Sequence, residues 1–257
     1  GVASGSSYVV FGKASGFDAS INLSSLDGQN GFRLDGVNAY DGSGLSVSDA
    51  GDVNGDGFGD VIVETNGVSS YVVFGKAGGF DDHLDLSALD GSDGFRFDRE
   101  GGDIFGHAVS GAGDVNGDGF DDVIVGDRYG GSFDGTYSGT SYVVFGRATG
   151  FDAHIDSSSL DGKNGFRMRG VDSNDDTGGS VSSAGDINGD GFDDVIVGAD
   201  GAGGSYDSGA SYVVFGKASG FDAQIDLSEL NGSDGFRLEG EKFFPHFGHS
   251  VSGAGDV

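Results

Sequence analysis

Three nine-residue segments of this chain place oxygen-bearing side chains at the same four positions: Asp52, Asn54, Asp56 and Asp60 in the first, Asp114, Asn116, Asp118 and Asp122 in the second, and Asp186, Asn188, Asp190 and Asp194 in the third. A fourth copy begins at Asp256. Gly57, Gly119 and Gly191 hold the sixth position, where the backbone must turn sharply. Side-chain oxygens at positions 1, 3, 5 and 9 around such a turn form the ligand pattern of a calcium loop. The carbonyl at position 7, from Phe58, Phe120 or Phe192, is a fifth donor, and water completes the shell. Hard oxygens on a flexible loop suit Ca2+ better than Mg2+, which demands a tight octahedron, and suit zinc poorly. Asn-Gly and Asp-Gly also favour hairpin turns with no metal at all. A turn, however, needs only two special residues, and three carboxylates within nine positions repel one another unless neutralised. The expectation is calcium in all three loops, with Kd roughly 0.1 to 1 mM as in extracellular modules, a range that leaves the sites empty in cytosol and filled outside the cell. The first loop departs from the others at position 8, where Gly59 replaces an additional Asp.

Little else in the chain points to chemistry. The five histidines, His83, His107, His154, His246 and His249, show neither metal-protease spacing nor a triad partner. His107 and His249 recur at one repeat position, which suits packing or surface polarity. No Gly-x-Ser-x-Gly elbow joins a strand to a long helix, and nothing selects a glycosidase pair from so many carboxylates. Arg33, Arg96, Arg167 and Arg237 follow Phe in every repeat, and partnership with loop carboxylates is preferred over a ring of anion or sugar contacts. The reading is non-enzymatic.

Thirteen basic against 42 acidic residues leave a formal charge of -29. That balance argues against nucleic acid and anionic membrane surfaces, which need cationic patches, and makes cations the natural partners. With no cysteine there is no disulfide, thiolate nucleophile or zinc-thiolate site. No apolar run is long enough for a membrane-spanning helix, so direct membrane insertion is not expected. The first residues lack the charged and apolar regions of a signal peptide, so any export address is expected outside this chain.

The elements that must hold the loops repeat with them. Tyr8, Tyr71, Tyr142 and Tyr212 each open a Tyr-Val-Val-Phe-Gly segment, at spacings of 63, 71 and 70. Phe32, Phe95, Phe166 and Phe236 keep the same spacings. Such self-similarity marks an array of equivalent units. Gly at 54 residues with one Pro and no Trp describes short strands joined by tight turns. Within a unit the pattern predicts four strands: a half-polar stretch ending at the loop, a β-branched run such as Asp194-Val-Ile-Val covered on both faces, the Tyr-Val-Val-Phe segment, and Gly-Phe-Arg after an excursion. The excursion suits a single helical turn or a β-hairpin, with the turn preferred and Leu26, Leu89, Leu160 and Leu230 tucked inward. Four antiparallel strands per unit, each sheet too thin to bury its own faces, predict an all-β fold of stacked β-propeller blades.

The expected divisions are residues 1–35 as the second half of a split blade, 36–98, 99–169 and 170–240 as blade units carrying loops 52–60, 114–122 and 186–194, and 241–257 as the first strand of an incomplete blade. Joining the ends would leave a blade one strand short, so the chain is expected to be a piece of a longer polypeptide or of an assembly.

The three loops, the preceding Phe105-Gly-His-Ala-Val-Ser-Gly-Ala-Gly113 and Phe247-Gly-His-Ser-Val-Ser-Gly-Ala-Gly255, and the following Asp122-Val-Ile-Val-Gly126 together resemble the FG-GAP repeat. That resemblance implies the seven-bladed propeller of integrin alpha subunits and many bacterial surface proteins, with calcium in blade hairpins on one face; about four units lie in this chain. Ser43-Gly44 and Gly178-Gly179 replace the family's Phe-Gly, and its Gly-Ala-Pro element reads Glu64-Thr-Asn66, Gly126-Asp-Arg128 and Gly198-Ala-Asp200. Those departures, with the near-identical units, look closer to bacterial multi-repeat surface proteins than to an animal receptor. The expected function is an extracellular, secreted or cell-surface, calcium-stabilised propeller serving adhesion or building an appendage or matrix, with units joining head to tail. Its partners would be calcium, a protein or glycan ligand, or copies of itself. A calcium-dependent lectin and a non-catalytic scaffold region of a larger secreted enzyme are the competing readings.

Overall fold

The fold is seen in a computed structural model that describes residues 3–65, 69–99, 107–130, 137–203, 208–241 and 246–255. Three units contribute four antiparallel strands each. The first is β3 (Val47–Gly51), β4 (Asp60–Glu64), β5 (Ser69–Val73) and β7 (Gly94–Asp98). The next is β8 (His107–Gly113), β9 (Asp122–Asp127), β10 (Thr140–Val144) and β12 (Gly165–Arg169). The last is β13 (Ser180–Gly185), β14 (Asp194–Ala199), β15 (Ala210–Val214) and β17 (Gly235–Glu239). Ahead of them β1 (Ser6–Val10) and β2 (Gly31–Asp35) form an antiparallel pair. This is an all-β, β-propeller fold. The first strands β3, β8 and β13 lie side by side, and Gly253 continues the row against Ser183 and Ala184.

Every sheet but that of the last unit also takes a strand from its neighbour. The excursion after the Tyr-Val-Val-Phe segment contains β6 (His83–Asp85), β11 (His154–Asp156) and β16 (Gln224–Asp226). These pair in parallel with the outer strand of the preceding unit, β2, β7 and β12 respectively. A 3-10 turn follows each, capped by Asp85, Asp156 or Asp226 accepting from the N–H two residues on. Leu26, Leu89 and Leu160 behind the turns are buried, and Leu230 is partly buried, so the turn and not a hairpin fills the excursion.

The core is divided into three clusters, one between each pair of consecutive units. Strand alternation sends neighbouring side chains to different clusters. Val72 packs towards the following unit, whereas Tyr71 and Val73 pack towards the preceding one. Between the sheets the aromatic rings stack in a repeated way: Phe32 on Phe80 with centroids 3.9 Å apart, Phe95 on Phe151 at 4.9 Å, and Phe166 on Phe221 at 4.6 Å. Lys76, Arg147 and Lys217 cover the outer face of Phe80, Phe151 and Phe221 at 4.6 to 4.8 Å. A buried ion pair adds to the packing of the first of the four-stranded units against the next. Arg99 bonds Glu64 at 3.0 Å, both side chains being inaccessible, and reaches the Gly126 carbonyl of the next sheet at 3.5 Å. Burial pushes the Glu64 carboxyl up to about 7, against the pull of Arg99 and the Ser70 hydroxyl.

Because Phe166 is fully buried at a stack between two sheets, Phe166→Ala is expected to destabilise the chain by about 3–5 kcal/mol in urea unfolding. Phe17→Ala, at the same repeat position as Phe221 but half exposed at 52%, is expected to shift the monomer's midpoint little.

Candidate metal centre

Each loop follows a bulge in the first strand of its unit. Register shifts occur between Asp49 and Gly51, Gly111 and Gly113, and Ser183 and Gly185, with the glycines at φ +77°, +73° and +69°. The bulge turns the chain out of the sheet so that Asp52, Asp114 and Asp186 start the loop. Asp52 Oδ1 accepts from the Asp56 N–H at 2.9 Å and Oδ2 from the Gly57 N–H at 2.9 Å. Asn54 Oδ1 accepts from the same Asp56 N–H, and Asp56 Oδ1 from the Phe58 N–H, each at 2.9 Å. The second and third loops repeat these bonds through Asp114, Asn116, Asp118 and through Asp186, Asn188, Asp190.

The ninth residue closes the loop onto the sheet. Asp60, Asp122 and Asp194 are buried, and each carboxylate accepts two backbone N–H bonds. One comes from the loop's second residue, Val53, Val115 or Ile187, at 2.9 Å in each case. The other comes from Gly75, Gly146 or Gly216, at the end of the third strand, at 2.7 to 2.9 Å. Burial still drives these carboxyls upward, Asp60 to about 7, Asp122 well above the ordinary value and Asp194 in the same direction. The charges of Asp56 and Asp52 on Asp60, of Asp118 and Asp114 on Asp122, and of Asp190 on Asp194 push the same way. The acid at position 9 is therefore repelled by the one at position 5 in every loop, and by the one at position 1 in the first two. Among the described residues no three acidic or histidine side chains are gathered at ligation distance; the carboxylates are turned to the loop's own N–H groups. The donor set is nonetheless all oxygen and multiply anionic, which fits a hard divalent cation. Phe58 is 41% exposed and Phe120 and Phe192 partly buried, so the seventh residue sits at the surface of every loop.

Position 8 has a role that the spacing alone does not disclose. Asp121 Oδ2 accepts from the Asp52 N–H at 2.7 Å, and Asp193 Oδ2 from the Asp114 N–H at 2.9 Å. The backbone adds Asp121 N–H to the Asp52 carbonyl and Asp193 N–H to the Asp114 carbonyl, both at 3.2 Å. Each eighth-position Asp thus clamps the loop of the preceding unit and leaves its own loop alone. A Cβ at Gly51 or Gly113 would strike that carboxylate, so the bulge glycine also makes room for the clamp. Gly59 has no preceding loop among the described residues. The only sequence signal is the difference between Gly59 and the pair Asp121 and Asp193.

The remaining polar candidates are paired at the sheet edges. Arg33 bonds Asp35 and Arg96 bonds Asp98, each at 2.7 Å, on the same strand two residues on, while Arg237 lies 3.6 Å from Glu239. Arg167 reaches Gln224 at 3.1 Å. The partners named here are thus groups on strands, not the loop carboxylates anticipated. His154 bonds Asp98 at 2.7 Å, His83 bonds Asp82 and His249 bonds Asp200, each at 2.8 Å, with His246 3.9 Å from Asp200; all four rings are largely exposed. His107 lies on β8. The Phe105 portion of the family-like segment and the start of the fourth loop at Asp256 lie outside the described residues.

Stacked four-stranded sheets, each with one such loop after its first strand, are the setting in which the matches to known proteins fall. The FG-GAP repeat matches residues 105–144 and 177–214, each segment running through the loop and its flanking strands. The chain is also similar to integrin alpha-4 of Xenopus laevis, 28% identical over 155 residues, covering 58% of this chain and 14% of that protein. The chain thus spans a small part of the curated relative that it matches.

The clamp and the ligand positions separate by substitution. Asp193→Ala is expected to lower stability by about 1–3 kcal/mol, the penalty for an unsatisfied, partly buried N–H, while leaving calcium affinity of the third loop in place. Asp190→Ala is expected to do the reverse in calorimetric titration. Gly59→Asp is expected to change neither.

Proposed function

We propose that this chain is a calcium-stabilised, extracellular β-propeller module that serves adhesion or structural scaffolding without catalysis. The observation that carries the reading is the loop built three times over, with a buried ninth-position acid repelled by the acid at position 5 in each, and with the first two loops also tied to the neighbouring sheet. Asp52, Asn54, Asp56 and Asp60, with the Phe58 carbonyl, would hold one Ca2+; Asp114, Asn116, Asp118, Asp122 and Phe120 a second; Asp186, Asn188, Asp190, Asp194 and Phe192 a third. The cation supplies positive charge that offsets the clustered carboxylates, and binding only to the folded array stabilises it by mass action.

The adhesive reading is supported by the FG-GAP match and by the similarity to an integrin alpha chain. It is also favoured by the composition, since 42 acidic residues against 13 basic leave a surface suited to cation-bridged contacts outside the cell. No helix among the described residues is long and apolar enough to cross a membrane. The module would act by presenting the ends of its sheets, while the loops keep those sheets in register.

Titration with CaCl2 is expected to give three sites with Kd of roughly 0.1 to 1 mM, and EDTA is expected to lower the Tm markedly. The double variant Asp118→Ala, Asp190→Ala should lose most of the calcium-dependent rise. A Tm indifferent to both EDTA and that variant would overturn the calcium role. Beads coated with the chain should adhere to immobilised matrix glycoproteins in calcium and release in chelator; beads that stay free in calcium would overturn the adhesive role.

A further inference from the structure

Asparagine precedes glycine seven times in this chain. Such a pair has a chemistry of its own, because the glycine nitrogen has no side chain beside it to keep it from the asparagine's side-chain carbon, and asparagine is among the thermolabile residues. Asn66 lies outside the described residues, and the other six fall into two geometries.

In the three loops the asparagine curls forward over its own glycine. Asn54 Oδ1 accepts from the Asp56 N–H at 2.9 Å, Asn116 Oδ1 from the Asp118 N–H at 2.8 Å and Asn188 Oδ1 from the Asp190 N–H at 2.9 Å. The amide nitrogen is held as well, since Nδ2 donates to Oδ2 of Asp56, Asp118 and Asp190 at 3.2, 3.0 and 2.9 Å. Asn231, in the last excursion, shares this arrangement: Oδ1 accepts from the Ser233 N–H at 3.1 Å and Nδ2 donates to Asp234 Oδ2 at 3.3 Å. Asn30 and Asn164 reach the other way. Their Oδ1 atoms accept from the N–H groups of Asp27 and Asp161, behind them in the chain, at 3.1 and 3.0 Å, and their Nδ2 atoms donate to the Ser25 and Ser159 carbonyls at 3.1 and 3.0 Å. Exposure does not sort the two groups, because Asn30 is exposed whereas Asn54 and Asn116 are partly buried.

We propose that Asn54, Asn116 and Asn188 are sites of self-modification, at which the nitrogen of Gly55, Gly117 or Gly189 closes on Cγ of the asparagine before it. The new C–N bond makes a five-membered succinimide, the Cγ–Nδ2 bond breaks, and the proton given up by the glycine nitrogen passes through water to the departing ammonia. Water then opens the succinimide at either carbonyl, which leaves aspartate or a β-linked isoaspartate. Water is the one co-reactant, and nothing is oxidised or reduced. The forward curl serves both halves of the closure. It holds Cγ over the peptide that attacks it, and the N–H already on Oδ1 meets the negative charge that develops there as the carbon becomes tetrahedral. In Asn30 and Asn164 both polar atoms are tethered to residues behind, which draws Cγ away from Gly31 and Gly165. Either product alters the loop. Aspartate adds a fourth carboxylate, and isoaspartate lengthens the backbone by one carbon where the rings of Phe120 and Phe192 lie against Gly55 and Gly117. The geometry stands whether or not the loops hold calcium.

The test follows the whole chain, folded at neutral pH and physiological temperature in EDTA, by peptide mass spectrometry with aspartate and isoaspartate separated chromatographically. A parallel sample in urea gives the rate of each Asn-Gly pair without the fold. In the folded chain Asn54, Asn116, Asn188 and Asn231 should convert faster than Asn30 and Asn164 by roughly tenfold or more, and in urea the six should convert at similar rates. Asn30 or Asn164 converting as fast as the loops in the folded chain, loop asparagines that stay amides while their counterparts in urea convert, or the same ranking with and without urea would each overturn the proposal. Calcium titration of freshly prepared chain is read separately, so a failure here leaves the calcium reading standing.

Discussion

Sheet-on-sheet contact is the interaction on which everything else in this chain depends. Every blade is one layer thick and apolar on both faces: β9 and β10 are buried along their whole length. Neither face can be covered within the unit, so the hydrophobic stabilisation of one sheet exists only when its neighbours are present. The stacked phenylalanines and the borrowed parallel strand make that contact specific. They fix both the height and the register at which the next sheet arrives. A loop at the end of one sheet can then be held by an aspartate from the next, which packing without register would not allow.

Charge is the counterweight. A chain with a formal charge of -29 must keep its carboxylates apart or supply partners for them, and it has few cations to offer. Its solution is the backbone. Asp residues cap the 3-10 turns, close the hairpins and clamp neighbouring loops by accepting N–H bonds, so the acids organise the turns. The turn-capping Asp85, Asp156 and Asp226 are exposed, and their hydrogen bonds hold the carboxyls below the ordinary range. The buried ninth residues of the loops lie on the other side of this balance, pushed upward by burial and by the acids beside them. The same residue type is thus comfortable in one turn and strained electrostatically in the other, and only the second calls for a cation.

Much of this was legible in the residues. The repeated Tyr-Val-Val-Phe and Asp-Val-Ile-Val segments are long enough, and β-branched enough, to declare strands covered on both faces, and the inward leucines of the excursions follow from their fixed spacing. The borrowed strands were not legible. His83-Leu-Asp85 and its equivalents are three residues long, too short for alternation to register as a period, and their pairing partner lies more than one strand away in the preceding unit. The clamp was hidden for a related reason: Asp121 sits inside a motif whose other acids face their own loop, and only the structure shows that it faces another. The Glu64–Arg99 pair has no repeated sequence pattern, since the positions equivalent to Glu64 hold Gly126 and Gly198 and those equivalent to Arg99 hold Gly170 and Gly240.

The clamp also gives the array a direction in which binding and packing are linked. Asp52 presents its N–H to Asp121 and its carboxylate to the interior of its own loop, so ordering that residue from either side favours the other. A cation held by Asp52, Asn54 and Asp56 would fix the peptide that Asp121 grips, and docking of the next sheet would fix the carboxylate that the cation needs. By linkage the two effects must be equal in free energy. Repeated at Asp114 and Asp193, the coupling runs from each of these two loops to the sheet after it. Affinity in the first two loops would therefore depend on the docked sheet that follows each, which would tie occupancy of those metal sites to the packing of the array.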